Sequence, residues 1–525
     1  MKKGLRNMAL AGLALTLALT ASGCRENTKA EKNAGDGKIP ETLKIFAIQN
    51  SLAAQAGAED RNGILAYQLM EEKTGCHVEW INPSPVAAQE QFNLMIASGE
   101  YPDIIEYYWQ DIEGGAQQYV DDGVLVSISD YIDNMPNFKK FNKENPLIAA
   151  QYQDVDGNMI YAPCIRKDDE LRVYLGPMIR QDWLDKLGLK MPTTTDELYN
   201  VLKAFKTGDP NGNGKADEIP FTGIDANSIT YGISNIVWAF DTHYDFYVKD
   251  GKVTHGIMEN NFKEALKYMN KLFAEGLIDP DYMINDEQKY DSKVINDKSG
   301  FYFGVQPSFY YNNMNPEKQH VVAVPYIGGK CNNPAYLSNL CGNGAAITTA
   351  CINPSGAAKW LDEFYSEEGT TIANFGKEGK TYNVVDGKKV LDREYVFNNP
   401  EGLERKNVCA KSFIGATTDF PCFQLWDYYS QTLEKWGTDA IEVWYKSGDT
   451  SSALPVLQFT SDENRELSKI QSDINTYLSE FVNNVIVGRV SADTFEKAQS
   501  TVVGMGMDKV LKIYNDAYSR YLKVK

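Results

Sequence analysis

Between residues 43 and 108 the chain alternates strand-like and helix-like segments, and this alternation most limits what it can fold into. Leu43-Lys44-Ile45-Phe46-Ala47-Ile48 reads as a strand, followed by the polar Gln49-Asn50-Ser51. A helix is expected through Ile64, Leu69 and Met70, ending near Gly75, and His77-Val78-Glu79-Trp80-Ile81 reads as a second strand. Ser84-Pro85 opens the next helix, with Ser as cap and Pro in the first turn. Phe92, Met95 and Ile96 continue it at helical spacing, Gly99 ends it, and Asp103 to Tyr108 form a third strand. Strand, helix, strand, helix, strand demands a parallel sheet with crossover helices. Ligands of such sheets bind outside the carboxyl ends of the strands. That rule makes Gln49, Asn50, Tyr108 and Trp109 the first candidates for a binding cleft.

The centre continues in the same α/β style. Thr194 and Glu197 form a capping box ahead of the stripe Leu198, Val201, Leu202 and Phe205. Phe262, Leu266, Met269, Leu272 and Phe273 mark another helix, stopped at Gly276. Asp-Gly pairs at 156–157, 250–251 and 386–387 lie between strand-like residues, as in hairpins. From about Ser461 the chain is mainly helical: Leu467, Ile470, Ile474, Leu478 and Phe481 keep helical spacing, and Val510 to Tyr514 mark a final helix.

The first 24 residues address the chain. Lys2, Lys3 and Arg6 precede an apolar run from Met8 to Thr20, which ends in Ala21-Ser22-Gly23-Cys24. A basic start, a short apolar stretch and small residues before a cut site make a secretory signal, and the run is too short to span a bilayer. The Cys directly after the small residues resembles the lipobox of bacterial lipoproteins. The expectation is therefore cleavage before Cys24, a thioether lipid and palmitate on that Cys, and a protein tethered to the outer face of the cell membrane. Residues 25–41 are polar and aperiodic, which suits a flexible stalk.

Charge removes whole classes of partner. The formal net charge is −19; residues 1–23 carry three positive charges and no acid, so the chain from Cys24 onward stands at −22. Nucleic-acid binding requires clustered Lys and Arg, so it is excluded, as is broad adhesion to anionic lipid. With Cys24 assigned to lipid, seven Cys remain, scattered and without a CxxC pair, which reads as buried thiols and not a disulfide framework. The four His are far apart, with no HxH or HExxH.

Asp209-Pro-Asn211-Gly-Asn213-Gly214-Lys215-Ala-Asp217-Glu218 is the sharpest chemical motif. Oxygen side chains at loop positions 1, 3 and 5, Gly at 6 and a backbone carbonyl at 7 are how an EF-hand wraps calcium. The closing Glu of position 12 is replaced by Pro220, so Asp217 and Glu218 would close a shorter loop. The expected ion is a structural Ca2+ held by Asp209, Asn211, Asn213, Lys215, Asp217 and Glu218. By contrast, no GxSxG elbow, P-loop or GxGxxG after a strand is present. Trp109, Trp238, Trp426, Trp436 and Trp444 lie in or beside polar-aromatic stretches, a composition that suits sugars, whose C–H faces cover rings while Asn, Gln, Asp and Arg take the hydroxyl edges. Trp183 and Trp360, inside helical patterns, are assigned to packing.

Several segments together carry a family resemblance. They are Glu90 to Asp103 (EQFNLMIASGEYPD), Asp156 to Pro163 (DGNMIYAP), Ile179 to Gly188 (IRQDWLDKLG), the Asp209–Glu218 loop, Glu275 to Pro280 (EGLIDP), Ser366 to Gly369 (SEEG) and Ala517 to Arg520 (AYSR). Over essentially the whole mature length the chain resembles the extracellular solute-binding proteins of bacterial ABC importers, in the large lipoprotein subgroup (LplA/LipO-like) related to alginate-binding proteins. The resemblance implies an α/β, two-lobed periplasmic-binding-protein-like fold (type II-like) with a hinge and a helical C-terminal part. The implied division is a signal at 1–23, a stalk at 24–41, lobe 1 at 42–165, lobe 2 at 166–340, a return to lobe 1 at 341–395, and a mainly helical segment shared between lobes and hinge at 396–525. It implies a monomeric, non-enzymatic receptor that delivers an oligosaccharide to permease subunits. The alginate-binding relatives stack sugars on Trp, at places matching Pro307-Ser308-Phe309-Tyr310 and Phe423-Gln424 here. No Trp stands at either place, so Phe309, Tyr310 or Trp426 would supply the rings, with Gln424 beside them. Arg180 is a ligand or hinge candidate, the alternative being an ion pair with Asp182. The rival functions are a calcium-dependent carbohydrate-active enzyme at the cell surface and a receptor for a non-sugar solute such as a peptide.

Overall fold

The computed structural model describes residues 36–524 except 111, 113, 229, 311–319, 328–337 and 400, and omits the side chains of 309 and 310. Cys24 and Cys331 thus lie outside the described residues, as do the rings of Phe309 and Tyr310. In chain order the strands are β1 (Thr42–Phe46), β2 (His77–Ile81), β3 (Ile104–Tyr107), β4 (Tyr161–Arg166), β5 (Leu175–Arg180), β6 (Ile219–Phe221) and β7 (Phe246–Lys249). They continue with β8 (Lys252–His255), β9 (Ser299–Val305), β10 (Val321–Ala323), β11 (Leu340–Ile347), β12 (Tyr382–Val385), β13 (Lys388–Leu391) and β14 (Cys422–Gln424).

Two mixed sheets organise two cores. The first has the order β14-β4-β11-β3-β1-β2, and the second β10-β5-β9-β6. β1, β2 and β3 are mutually parallel, as the alternating sequence requires. β11 runs antiparallel between β3 and β4, and β14 lies parallel to β4. One apolar core gathers residues between Leu43 and Ile165 with Leu340–Ala373 and Ala410–Phe423. The other gathers Val173–Ile327 with Ala440–Ile513, and a small third cluster surrounds Phe375, Phe413 and Tyr428.

Local signals explain most elements. Pro85 starts the helix Pro85–Ser98, and Gly99 ends it in the left-handed conformation at φ 73°. The Thr194–Glu197 capping box is formed in both directions ahead of Thr195–Thr207. A second box at Thr460–Glu463 starts the 26-residue helix Ser461–Ile486, whose Leu467, Ile474, Leu478 and Phe481 are buried. Two Asp-Gly pairs turn the hairpins β7–β8 and β12–β13, while the third closes only a bridge between Gln153 and Met159.

The helix expected up to Gly75 divides into two. Ser51–Gln55 stops before Gly57, which has φ 85°, and Leu65–Thr74 begins only after a single turn at Arg61–Gly63 capped by Asp60. This break carries Arg61 into the core. Gly176, early in β5, is forced by packing: a Cβ there would stand 2.3 Å from the ring of Trp444, whose Nε1 donates to Pro177 O. Trp444 is therefore a core residue. Among the described residues no helix is long and apolar enough to cross a membrane.

Candidate functional site

The strand directions determine where the lobes face each other. β1, β2, β3, β4 and β14 all end at one edge of the first sheet, and β11 begins there. From that edge β4 leads into β5, β10 returns into β11, and β14 leads toward the helix Lys435–Ser447. β6, β9 and β10 point back toward the first lobe, and β5 points away. Contacts fasten the crossings: Trp426 N donates to Asp168 Oδ2 (2.7 Å), Arg166 Nη1 donates to Leu340 O (2.8 Å), and Arg405 Nη2 donates to Ser308 O (2.6 Å).

A cavity of about 1220 Å³ opens between the lobes. Its first wall carries Trp109, Gln110, Asp154, Asp156, Asn158 and Tyr161; the opposite wall carries Asp245, Gln458, Asp462, Asn464, Gln471 and Tyr514. Asp245 also borders a cavity of about 730 Å³ within the second lobe, lined by Asn227, Asn235, Trp238, His243, Tyr244 and Glu480 among others. Among the described residues lining these two spaces there is no Lys or Arg. The described lining is rich in acids, amides, hydroxyls and rings, which accept and donate hydrogen bonds, and Arg465, just outside it, is paired with Asp462 (2.9 Å).

Behind the edge of β1 and β3 lies a buried charge cluster. Arg61 Nη2 donates to Glu106 Oε2 (3.0 Å) and Ile48 O (2.9 Å), and Nη1 reaches Asp419 Oδ1 (3.3 Å). Glu106 also accepts from Ile48 N (2.9 Å) and Asn343 Nδ2. Burial pushes Glu106 up to about 8, outweighing the pull of Arg61. Burial works against the Arg61 charge too, but Asp419, Tyr67 and Glu106 together raise its pKa, so it stays protonated. The guanidinium is packed among Tyr67, Trp80 and Phe420, 5.5–5.8 Å from each ring. Asp419 is held over the sheet because Gly342, at φ 58°, leaves room: a Cβ there would lie 1.6 Å from Thr418 O.

The expected ligand residues separate into groups. Trp109 and Trp238 border the two cavities, yet both are buried, and Trp109 Nε1 is spent on Ile105 O. Gln49 donates to Glu59 O, and Asn50 caps the helix Ser51–Gln55 while donating to Asp419 Oδ2. Gln424 lies within β14 and donates to Gly415 O, and Trp426 is half-buried at the crossing. Arg180 sits where β5 ends away from the first lobe, paired with Asp182 (2.5 Å) and Asp297. Trp183 and Trp360 are packed, as assigned. Asp154, Asp245 and Arg61 were not singled out by sequence: isolated polar residues in loops carry no pattern.

The Asp209–Glu218 loop follows Thr195–Thr207 and precedes β6, with Asp209 at φ 46°. Gly214 N donates to Asp209 Oδ2 (3.2 Å), and Asn213 Nδ2 to Asp217 Oδ1 (2.9 Å). Glu218 Oε1 is buried with no hydrogen-bond partner, and burial, with Asp209 and Asp217 nearby, raises its pKa. Among the described residues no three His, Cys, Asp or Glu side chains converge to hold a metal ion; in this loop Asp209 and Asp217 are turned onto amide donors. Calcium is thus not assigned here, although an orphaned carboxylate oxygen beside two further acids is a donor set that fits a hard cation.

Comparisons with known proteins agree with this architecture. Residues 50–371 match the model of the bacterial extracellular solute-binding proteins. The chain belongs to that family. It is 29% identical over 504 residues to the fructooligosaccharide ABC transporter substrate-binding protein FusA of Streptococcus pneumoniae, covering 92% of this chain and 90% of that one. It is 27% identical to lipoprotein LipO of Bacillus subtilis (71% and 74% covered) and 30% identical over 301 residues to the polygalacturonan/rhamnogalacturonan-binding protein YtcQ of that organism (56% and 55%). The solved structure of FusA in complex with kestose superposes with a TM-score of 0.73 at 27% identity, covering 92% of this chain and all of that one. The alginate-binding protein AlgQ2, at 24% identity and a TM-score of 0.69, shares the fold. FusA is named a substrate-binding protein, and YtcQ and AlgQ2 are named binding proteins.

His243 supplies a pH test of the cavity wall. It stacks on Tyr247 with centroids 4.5 Å apart, and burial lowers its pKa to about 3. The unfolded chain, with an ordinary His near 6.5, therefore binds a proton that the folded chain refuses between pH 6.5 and 3. Stability from this site is complete above pH 6.5 and is lost as pH falls, at up to ~1.4 kcal/mol per pH unit. Urea unfolding at pH 7, 6, 5 and 4 is expected to show wild type losing stability more steeply than His243→Phe; parallel curves would contradict the assignment.

Proposed function

We propose that the chain captures a neutral oligosaccharide between its lobes and passes it, chemically unchanged, to the permease subunits of an ABC importer. The observation that carries the neutral character is the cleft lining. A uronate polymer bears a carboxylate on every ring and would meet Asp154, Asp156, Asp245 and Asp462 with no Lys or Arg among the described lining residues. Like charges opposed in such a site cost several kcal/mol. Sugar hydroxyls suit the same surface, because vicinal pairs donate to carboxylates while amides and hydroxyls serve both directions. The space also exceeds the ~300–1,000 Å³ of ordinary small-molecule sites, which favours several sugar units. FusA, matched over 92% of this chain, carries fructooligosaccharide in its name and has been solved with kestose and with fructo-nystose, which supports testing fructans first.

The lipid anchor at Cys24 belongs to the same reading, since delivery requires the receptor to stay near its permease, and LipO is itself named a lipoprotein. For the metal, Asp209, Asn211, Asn213, Asp217, Glu218 and the carbonyl of Lys215 would hold calcium, giving Glu218 Oε1 the partner it lacks and pinning the connection into β6. A FusA structure described as an EF-hand mutant supports looking for calcium in this loop.

Titration calorimetry with kestose, nystose, other neutral oligosaccharides and oligogalacturonate tests the proposal. At least one neutral sugar is expected to bind with micromolar or tighter affinity and without new reducing ends. Asp245→Asn should weaken that binding about tenfold at unchanged melting temperature, as expected for a charge-assisted hydrogen bond. Tighter binding of oligogalacturonate than of every neutral sugar, or turnover of the sugar, would overturn it. Calcium is tested on chelator-stripped protein: Ca2+ is expected to raise the melting temperature of wild type by several degrees, through preferential binding to the folded state, and to leave Asp209→Ala unmoved. Equal responses of the two would remove the ion from this loop.

A further inference from the structure

Three cysteines stand side by side on three adjacent strands. Cys164 of β4 is in register with Cys341 of β11 on one side and with Cys422 of β14 on the other. Residues in register share a face of the sheet, and the sulfurs meet there: Cys341 Sγ is 3.2 Å and Cys422 Sγ 3.7 Å from Cys164 Sγ. All three are free and buried. The other free cysteines described, Cys76, Cys351 and Cys409, are buried as well, but no sulfur–sulfur hydrogen bond joins them to one another or to the three. The row lies where the chains leave for the hinge: Arg166 follows Cys164 by two residues, Leu340 precedes Cys341, and Gln424 ends β14.

We propose that this row is an oxidation site in which Cys164 is the shared partner, forming a disulfide with either Cys341 or Cys422. Adjacent strands lie ~4.5–5.5 Å apart between paired Cα atoms, inside the 4.4–6.8 Å window of a disulfide. Cys341 and Cys422 flank β4 and are two strand spacings apart, roughly 9–10 Å, beyond the ~7 Å limit for a direct bond. The outer pair therefore cannot join without the central thiol. A protein of an extracellular family works outside the glutathione pool that keeps cytosolic thiols reduced.

Hydrogen peroxide, small and neutral, is the oxidant with access to a packed sheet. Cys164 sulfur attacks one peroxide oxygen, the O–O bond breaks, the thiol proton leaves in the first water, and a sulfenic acid remains. The sulfur of Cys341 or Cys422 then attacks the sulfenic sulfur, the S–O bond breaks and the second water departs. Two thiols and one peroxide give one disulfide and two waters. The third thiol can attack Cys164 sulfur and move the bond to the other side. Burial holds the Cys164 and Cys341 thiols well above their ordinary pKa, which keeps the resting row protonated and the reaction slow. Either bond would join β4 covalently to a strand that leads straight to another crossing, fixing the edge on which the lobes pivot.

The test is peroxide treatment of the folded full-length protein, alkylation under denaturing conditions and peptide mapping by mass spectrometry. Wild type should lose 2 Da and yield both the 164–341 and the 164–422 cross-links, reversed by dithiothreitol. Cys341→Ser should give only 164–422, Cys422→Ser only 164–341, and Cys164→Ser no cross-link within the row. The wild-type map decides the matter by itself if a variant fails to fold. A 341–422 bond in Cys164→Ser, or oxidation confined to Cys76, Cys351 and Cys409 in wild type, would overturn the proposal.

Discussion

The rest of the structure depends on one sheet edge. β4, β11 and β14 are neighbours, and each is connected at that edge to a segment that reaches the second lobe. Three chains crossing at one place leave the lobes few ways to move except to rotate about that line, while the opposite side remains free to open. The same strand directions aim the carboxyl ends of β1, β2 and β3 at the second lobe, where parallel-sheet proteins hold ligands. The cleft is thus a consequence of topology, and its residues come from loops that the sheets place opposite each other.

Charge is distributed in two ways. In the core, Arg61 pairs with Asp419 and donates to Glu106 and to the carbonyl of Ile48. Removing one partner of such a cluster typically costs ~3–5 kcal/mol, because the remaining charges are left without compensation in a dry interior. In the cleft, the carboxylates are held by short-range donors: Asp154 accepts from Asn158 N, Asp245 from Phe246 N and Asp462 from Arg465 Nη1. The described linings of the two acidic cavities hold no Lys or Arg, whereas Lys167 and Arg172 border a neighbouring space at the crossing, and Arg61 and Arg180 hold the fold.

Where a signal is local, the sequence was enough. Pro85 and Gly99 bound a helix, Thr194 and Glu197 build a box, and Asp250-Gly251 turns a hairpin, because each is decided by residues a few positions apart. The expected helix up to Gly75 broke because Gly57 and the Asp60 cap outweighed the apolar spacing around Ile64 and Leu69. What sequence could not reveal is long-range: the registry of Cys164 with residues 177 and 258 positions away, the meeting of Arg61 with Asp419, and the placing of Asp154 and Asp245 on opposite walls of one cavity. Aromatic residues misled in part. Trp444 lies in an aromatic-rich stretch yet fills the space beside Gly176, and Trp109 turns its indole N–H to the backbone.

The central claim is that two lobes close on a guest and release it unaltered. Small-angle scattering of the protein, alone and saturated with the tightest neutral oligosaccharide found by calorimetry, tests it most directly. A smaller radius of gyration with ligand, reverting when the intact sugar is removed by dialysis, is the predicted result. Identical scattering curves at full occupancy would contradict it.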